Sequence, residues 1–303
     1  MTTQDLAHSD DLVHVYERLL QGSSLSGRHL DAGDGRRIHL TETGDGPSLV
    51  LLHGGGAPGL FFLPLLQRLE RVRAITPDRP GYGLSDPIEL PRDRYRQVAV
   101  AWVDRLLDTM ELGDTALLGH SSGGLWALWY ALARPHRVRR LVLLGAAPAL
   151  PGTGMPLPFR VLMLPGIGRL LQHIPSTPKS VMQFCRLVAH EEETIVAHPE
   201  LIDLLVAGDN DPVAASANLT DLRAIAAPHR YRLHARVRTD ELRQLTAPTL
   251  LIWGDRDPFG DTAVAQATAD TIPDARLELL PAGHGPWLGH PDRIAELVTD
   301  FVR

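Results

Sequence analysis

Ser121, Asp257 and His284 are the side chains with which this chain could attack a carbonyl, and each stands just past a short apolar run. Gly119-His120-Ser121-Ser122-Gly123-Gly124 closes the run TALLGH (residues 115–120) and opens a helical pattern. A serine in such a sharp strand-to-helix turn projects its hydroxyl above the strand ends, and small residues two positions away on either side avoid a clash. The N–H of Ser122, at the helix start, points into the same space and can hold a developing oxyanion. Read as structure alone, the motif is a Gly/Ser turn, and a one-residue slip would make Ser122 the nucleophile.

An activated serine needs a base, and the base needs a carboxylate to orient it. The run TLLIWG (residues 249–254) gives way to Asp255-Arg256-Asp257-Pro258, so carboxylates fall at a strand end, where open α/β sheets build their sites. Asp257 lies deeper in the turn and is the favoured acid. Asp255 can serve as a turn former, and Asp261 is a further alternative. RLELLP (residues 276–281) leads into Ala282-Gly283-His284-Gly285-Pro286-Trp287, which sets an imidazole between glycines past a strand. With 14 histidines in the chain, one near the C-terminus is unremarkable by itself. The order Ser, acid, His, each at the end of an apolar run, makes the three together hard to read as coincidence.

SLVLLH (residues 48–53) runs into Gly54-Gly55-Gly56-Ala57-Pro58-Gly59. Glycines let backbone approach a reacting group closely, and the Gly55 N–H is the expected second oxyanion donor. Gly54, Gly56 and Gly59 also match the G-x-G-x-x-G spacing of a dinucleotide site, with Asp78 about 20 residues on. Pro58 removes an N–H from any phosphate cradle, and that reading leaves the Ser121 turn unexplained.

The elements that must carry these residues alternate in type. Residues 36–42 alternate polar and apolar like a half-buried strand, while residues 48–53, 73–78, 115–120, 140–145, 249–254 and 276–281 are apolar nearly throughout. Helical patterns at 97–112, 125–134 and 292–302 lie between or after them. Apolar runs separated by helices indicate strands covered on both faces of a parallel sheet. The alternation stops between about 148 and 242, where prolines at 148, 151, 156 and 158 lead into helical spacing at 159–164, 181–189 and 201–207. The expected organisation is an N-terminal helical arm (1–30, with a helix over 11–20), a core (31–147 and 243–303), and a helical cap insertion (148–242).

The 303 residues are 44% hydrophobic, enough for a large core, with a net charge of −6. A mild acidic balance without a basic stripe argues against a nucleic-acid partner. The single cysteine, Cys185, excludes an internal disulfide, and its helical apolar surroundings suit a packed thiol. No zinc-ligand spacing is visible and no metal or cofactor is expected. No run of 18 apolar residues is present and the polar start lacks a signal-peptide pattern, so a cytoplasmic protein without a membrane span is expected. A homodimer is compatible with this composition.

HGGGAPG, DRPGYGLSD (residues 78–86), GHSSGG, WGDRD and AGHGPW together resemble the α/β-hydrolase superfamily over about residues 30–147 and 243–303. The resemblance implies an eight-stranded, mostly parallel sheet flanked by helices, with a helical cap after the sixth strand and the 78–83 loop shaping the pocket floor. A serine at the elbow departs from the relatives with an aspartate nucleophile, the haloalkane dehalogenases and epoxide hydrolases. It implies a serine hydrolase that cleaves a carboxylic ester or similar acyl bond of a small molecule. The HGGG-Pro loop is also similar to that of carbon–carbon bond hydrolases of aromatic ring degradation. A non-catalytic ligand-binding protein, and cofactor-free oxygenation or cyclisation on the same fold, are the further alternatives. Expected pocket residues are His53, Gly54, Trp126, Leu157, Phe159, Met163 and Trp287, with Leu162, Met182 and Phe184 as further cap candidates. The arginine-rich residues 223–243 can recognise a carboxylate or simply form a solvated helix face.

Overall fold

The computed structural model describes residues 8–164, 166–167 and 174–303, without the side chain of Leu162. Eight strands form one sheet in the order β1-β2-β4-β3-β5-β6-β9-β10. They are β1 (Ser26–Asp31), β2 (Arg37–Thr43), β3 (Ser48–Leu52), β4 (Arg73–Pro77), β5 (Thr115–His120), β6 (Val138–Leu144), β9 (Thr249–Gly254) and β10 (Ala275–Leu280). β1 pairs antiparallel with β2, and β2 antiparallel with β4; every other pair is parallel. This is the eight-stranded, mostly parallel sheet that the resemblance implied.

The apolar runs follow from position in this sheet. Every residue of β5 and β9 is buried, because both faces are covered. Successive side chains leave a strand on opposite faces, so Leu49 and Leu51 of β3 join one buried cluster and Val50 and Leu52 the other. Truncating such a fully buried leucine to alanine typically costs about 2–5 kcal/mol. β10 is an edge strand, and its Leu279 stays 45% exposed.

The helices α2 (Tyr95–Thr109) and α3 (Ser121–Ala133) pack together on one face, and α3 is buried from Ser122 to Ala131. That explains why its sequence, SSGGLWALWYALA, is apolar nearly all round. The C-terminal helix α9 (Pro291–Val302) covers the other face with a single apolar stripe, Ile294, Leu297, Val298 and Val302. Between β9 and β10 runs α8 (Thr262–Thr271), N-capped by Asp261, which accepts from Val264 N–H at 3.0 Å.

Between β6 and β9 lie α4 (Leu157–Leu162), α5 (Pro178–Phe184), a π-helical turn (Cys185–Ala189), α6 (Pro199–Asn210) and α7 (Pro212–Ile225). A two-stranded ribbon, β7 (Ala226–Ala227) and β8 (Arg230–Tyr231), follows. The sequence pattern shows neither α7 nor this ribbon. α7 is buried at Val213, Ala214, Asp221, Ala224 and Ile225, so its inward face includes a carboxylate that breaks the apolar spacing.

The N-terminal segment, expected as a helical arm over residues 1–30, is built into the fold. α1 (Asp10–Gln21) packs against α6, and β1 is part of the sheet rather than of an appendage. β1 reads SGRHLD and is almost fully exposed, so an edge strand of this kind leaves no apolar signature. Asp211, the N-cap of α7, accepts from Ser9 N–H at 2.6 Å and pairs with His8 at 3.2 Å. Deeper in, the Tyr16 hydroxyl donates to Asp78 at 2.8 Å. α1 therefore fastens the cap to the core.

Candidate active site

β5 ends at His120 and α3 begins at Ser121, whose φ of 51° lies in the left-handed region that a side chain rarely adopts. The flanking glycines make this turn possible. A Cβ on Gly123 would lie 2.2 Å from the Leu52 carbonyl oxygen, and one on Gly119 would lie 2.5 Å from that of Gly123. Ser121 is half-buried and faces a cavity of about 160 Å³.

Asp257 and His284 come from the loops after β9 and β10, which are parallel neighbours, so the two loops meet at one sheet edge. His284 Nδ1 lies 2.8 Å from Asp257 Oδ2, and both residues are buried. Asp257 Oδ2 also accepts from the Ala146 N–H at 2.9 Å, and Oδ1 accepts from the Phe259 N–H at 2.9 Å. These donors keep the carboxylate aimed at the imidazole. With Nδ1–H donating to Asp257, Nε2 carries the lone pair. Nε2 is buried without a hydrogen-bond partner among the described residues, and His284 lines the same cavity as Ser121.

The other two carboxylates of this segment lie elsewhere. Asp255 sits against Arg256 in a half-exposed pair, and Asp261 caps α8. Ser122 is buried behind Ser121, on the cavity wall.

The cap holds the histidine loop from the opposite side. The His284 N–H donates to the Ala189 carbonyl at 2.8 Å, and Gly285 N–H donates to Glu191 Oε1 at 3.0 Å. Ala189 ends the π-helical turn, and the last carbonyls of a helical segment have no partner within it, which leaves this one able to accept. Phe259 and His120 pack on the imidazole at ring distances of 4.4 and 4.7 Å. Burial, and then the neighbouring His284, hold His120 neutral, well below the ordinary histidine range.

Gly55 and Gly56 open onto the cavity beside Ser121 and Ser122. The pocket expectations divide. Phe159, Phe184 and Trp287 line this cavity. His53 and Gly54 lie beneath it: His53 Nδ1 faces the Gly54 carbonyl at 2.8 Å and Nε2 accepts from the Arg79 N–H at 2.8 Å. Trp126 is wholly buried in α3, donating to the Tyr95 hydroxyl at 2.8 Å, because the helix turns it into the core. Leu157 is 69% exposed at the start of α4. Met163 is buried and lines a different hollow, next to Arg92, Arg223 and Arg232. Met182 packs against the apolar cluster of the cap, and the Leu162 side chain lies outside the described residues.

Sequence reasoning missed Phe61, Glu191, Asp209, Asn218 and Leu222, all on the cavity wall; Cys185, packed in a buried apolar cluster as expected, also reaches that wall. Burial pushes the Cys185 thiol up to about 12, so it is an unreactive wall residue. Burial also raises the Glu191 carboxyl, and it raises Asp209, which is solvent-accessible yet set in the cavity wall, to about 6. Phe259 was within reach of the sequence, two residues past Asp257. Phe61 follows the glycine loop of the core, and the others stand on cap elements whose facing is set only by packing.

Residues 47–291 match the family model of the alpha/beta hydrolase fold, and the chain belongs to that family. A pimeloyl-[acyl-carrier protein] methyl ester esterase of Aromatoleum aromaticum is 34% identical over 277 residues, covering 85% of this chain and 98% of that protein. A 2-hydroxy-6-oxononadienedioate/2-hydroxy-6-oxononatrienedioate hydrolase of Cupriavidus pinatubonensis is 28% identical over 277 residues, 88% of this chain and 90% of that one. Among solved structures, the carboxylesterase CesB of Bacillus subtilis superposes with a TM-score of 0.74 at 20% identity, covering 96% of both chains. The chain is thus of a hydrolase family, and its relatives include a methyl ester esterase and a dienedioate hydrolase. No helix among the described residues is long and apolar enough to cross a membrane.

Proposed function

We propose that this protein is a serine esterase for small molecules, acting through an acyl-enzyme on Ser121. His284 Nε2 takes the Ser121 proton as Oγ attacks the ester carbonyl, while the N–H groups of Gly55 and Ser122 hold the oxyanion. The tetrahedral adduct collapses, and His284 returns the proton to the departing alcohol. Water, deprotonated by the same imidazole, then attacks the acyl-serine; as the acyl–Oγ bond breaks, His284 returns that proton to Ser121 and the carboxylic acid leaves. Asp257 keeps the imidazole in the tautomer this requires and stabilises the imidazolium. The observation that carries the reading is the His284 ring, tied at Nδ1 to Asp257, its buried Nε2 without a partner among the described residues, in a residue that lines the cavity with Ser121.

The walls favour ester over dienoate. A carbon–carbon substrate of the ring-cleavage type is a carboxylate. Among the described residues lining this cavity there is no Lys or Arg, and two carboxyl groups, Glu191 and Asp209, stand in it. A buried carboxylate without a cation is costly. Phe61, Phe159, Phe259, Leu222 and Ile225 suit an apolar acyl chain instead. The test pairs p-nitrophenyl butyrate with a 2-hydroxy-6-oxo-dienoate. Ester turnover with fluorophosphonate labelling of Ser121, lost in His284→Ala, is the expected result. Preferred cleavage of the dienoate would overturn the choice of substrate, and unchanged biological activity in Ser121→Ala would turn the reading to a ligand-binding protein.

A further inference from the structure

Arg79, directly after β4, and Asp221, on cap helix α7, are each 1% exposed. Arg79 Nη2 donates to Asp221 Oδ2 at 3.0 Å and Nη1 to Oδ1 at 3.4 Å, so the guanidinium grips the carboxylate with two nitrogens across the boundary between core and cap. The same Nη2 donates to Ser122 Oγ at 2.8 Å, and Ser122 Oγ donates to Asp221 Oδ2 at 3.2 Å. Tyr95 and Tyr82 also donate their hydroxyls to Asp221. The guanidinium packs over the Trp126 and Tyr82 rings at 4.9 and 5.0 Å.

This cluster touches both proposed oxyanion donors. Ser122 is held through its own hydroxyl. The glycine loop is held through His53: its Nε2 accepts from the Arg79 N–H, and its Nδ1 meets the Gly54 carbonyl. From above, a Cβ on Gly55 would lie 3.3 Å from Asn218 Oδ1 and 3.8 Å from Asp221 Oδ2, so one face of α7 rests on the Gly55–Ser122 pair. A buried ion pair is a weak source of stability, since apolar residues of equal volume generally serve as well. Apolar replacements here would lose the hydrogen bonds that hold Ser122 and the glycine loop in register.

We propose that Asp221 is a positioning residue for the oxyanion hole: by pairing with Arg79 and accepting from Ser122 it makes the seating of cap helix α7 and the alignment of the Gly55 and Ser122 N–H groups one event. The proposal rests on the esterase reading above. It acts through Ser122 and Arg79, and Asp221 itself does not meet the reacting atoms. The cap then contributes to the rate as well as to the shape of the pocket.

The full-length Asp221→Asn variant tests it, with active sites counted by a p-nitrophenol burst. Butylboronic acid, whose tetrahedral adduct places an oxygen in the oxyanion hole, reports on that hole, and butyramide reports on ground-state binding. With p-nitrophenyl butyrate, kcat per active site is expected to fall about 10- to 100-fold with KM changed less than about threefold. The inhibition constant of the boronic acid should weaken by the same factor while that of butyramide stays put. Tyr95→Phe removes one neutral donor from Asp221 and should move kcat and the boronic-acid constant together by about two- to fivefold. A purely structural role lowers the count of active sites but leaves both constants per site alone. Finding that in Asp221→Asn, or in Tyr95→Phe should Asp221→Asn not fold, overturns the inference by itself. Absence of burst and turnover in the unaltered protein overturns the esterase reading, and the inference with it.

Discussion

His284 Nδ1 lies 2.8 Å from Asp257 Oδ2, and that carboxylate is itself held by the N–H groups of Ala146 and Phe259. Asp257→Asn keeps the shape but presents a donor where an acceptor is needed, and so favours the wrong imidazole tautomer. A loss in kcat of about 10⁴-fold is expected for ester hydrolysis, with about 1–3 kcal/mol of stability lost because the amide leaves one buried backbone N–H without its acceptor. Steady-state kinetics at pH 7 to 8 checks it, and a loss under tenfold would remove Asp257 from its proposed role.

The glycine two residues after Ser121 makes a separate prediction. A Cβ at Gly123 would meet the carbonyl oxygens of Leu52 and His53 at 2.2 and 2.3 Å, and these are backbone atoms of β3 and its loop that cannot swing aside. Gly123→Ala should destabilise the fold by about 3 kcal/mol or more. Denaturant unfolding measures this, and a stable, active alanine variant would mean that α3 sits farther from β3 than described.

Asp209 makes the pocket sensitive to pH. Burial raises its carboxyl to about 6, so it is charged at pH 7.5 and largely neutral at pH 5.5. An ester whose acyl chain ends in a carboxylate should be repelled at the higher pH. The KM of mono-p-nitrophenyl glutarate, relative to p-nitrophenyl butyrate, is expected to drop about three- to tenfold between pH 7.5 and 5.5. Asp209→Asn should give the low ratio at both pH values. A ratio independent of pH in the unaltered protein would show that Asp209 does not face the acyl chain.

Asp78 links the N-terminal helix to acid stability. Burial would raise its carboxyl, but the bond with His39, at 2.8 Å, and the Gly59 N–H hold it below the ordinary carboxylate range. A native pKa below the unfolded value means stabilisation present above about pH 3.9 and lost as the pH falls through the native value. Tyr16→Phe removes a hydroxyl donor from this carboxylate, and is expected to cost about 1–3 kcal/mol at pH 7 and to move the acid-unfolding midpoint upward. Circular dichroism against pH follows both.

The core announced itself in the amino-acid sequence because its strands are buried on both faces. β5 and β9 are buried along their whole length and are therefore apolar nearly throughout, and the residues that follow them open onto the sheet edge. Ser121 and Asp257 were legible for the same reason, and His284, past the half-exposed edge strand β10, by the glycines on either side of it. β1 escaped because an exposed edge strand has no pattern to show, and α7 because its buried face carries Asp221.

By itself, the sequence determined the sheet, the turn at Ser121 and the kinds of group at three strand ends, since local sterics and burial dictate each of them. Tertiary structure alone decided which cap side chains face the cavity. It placed Glu191 and Asp209 there, turned Trp126 away, and brought Asp221 to Arg79 from 142 residues along the chain. Helices of a cap lie against a sheet edge in whatever rotation their combined packing allows, and that rotation is a property of the assembled surfaces, which no single stretch of residues encodes.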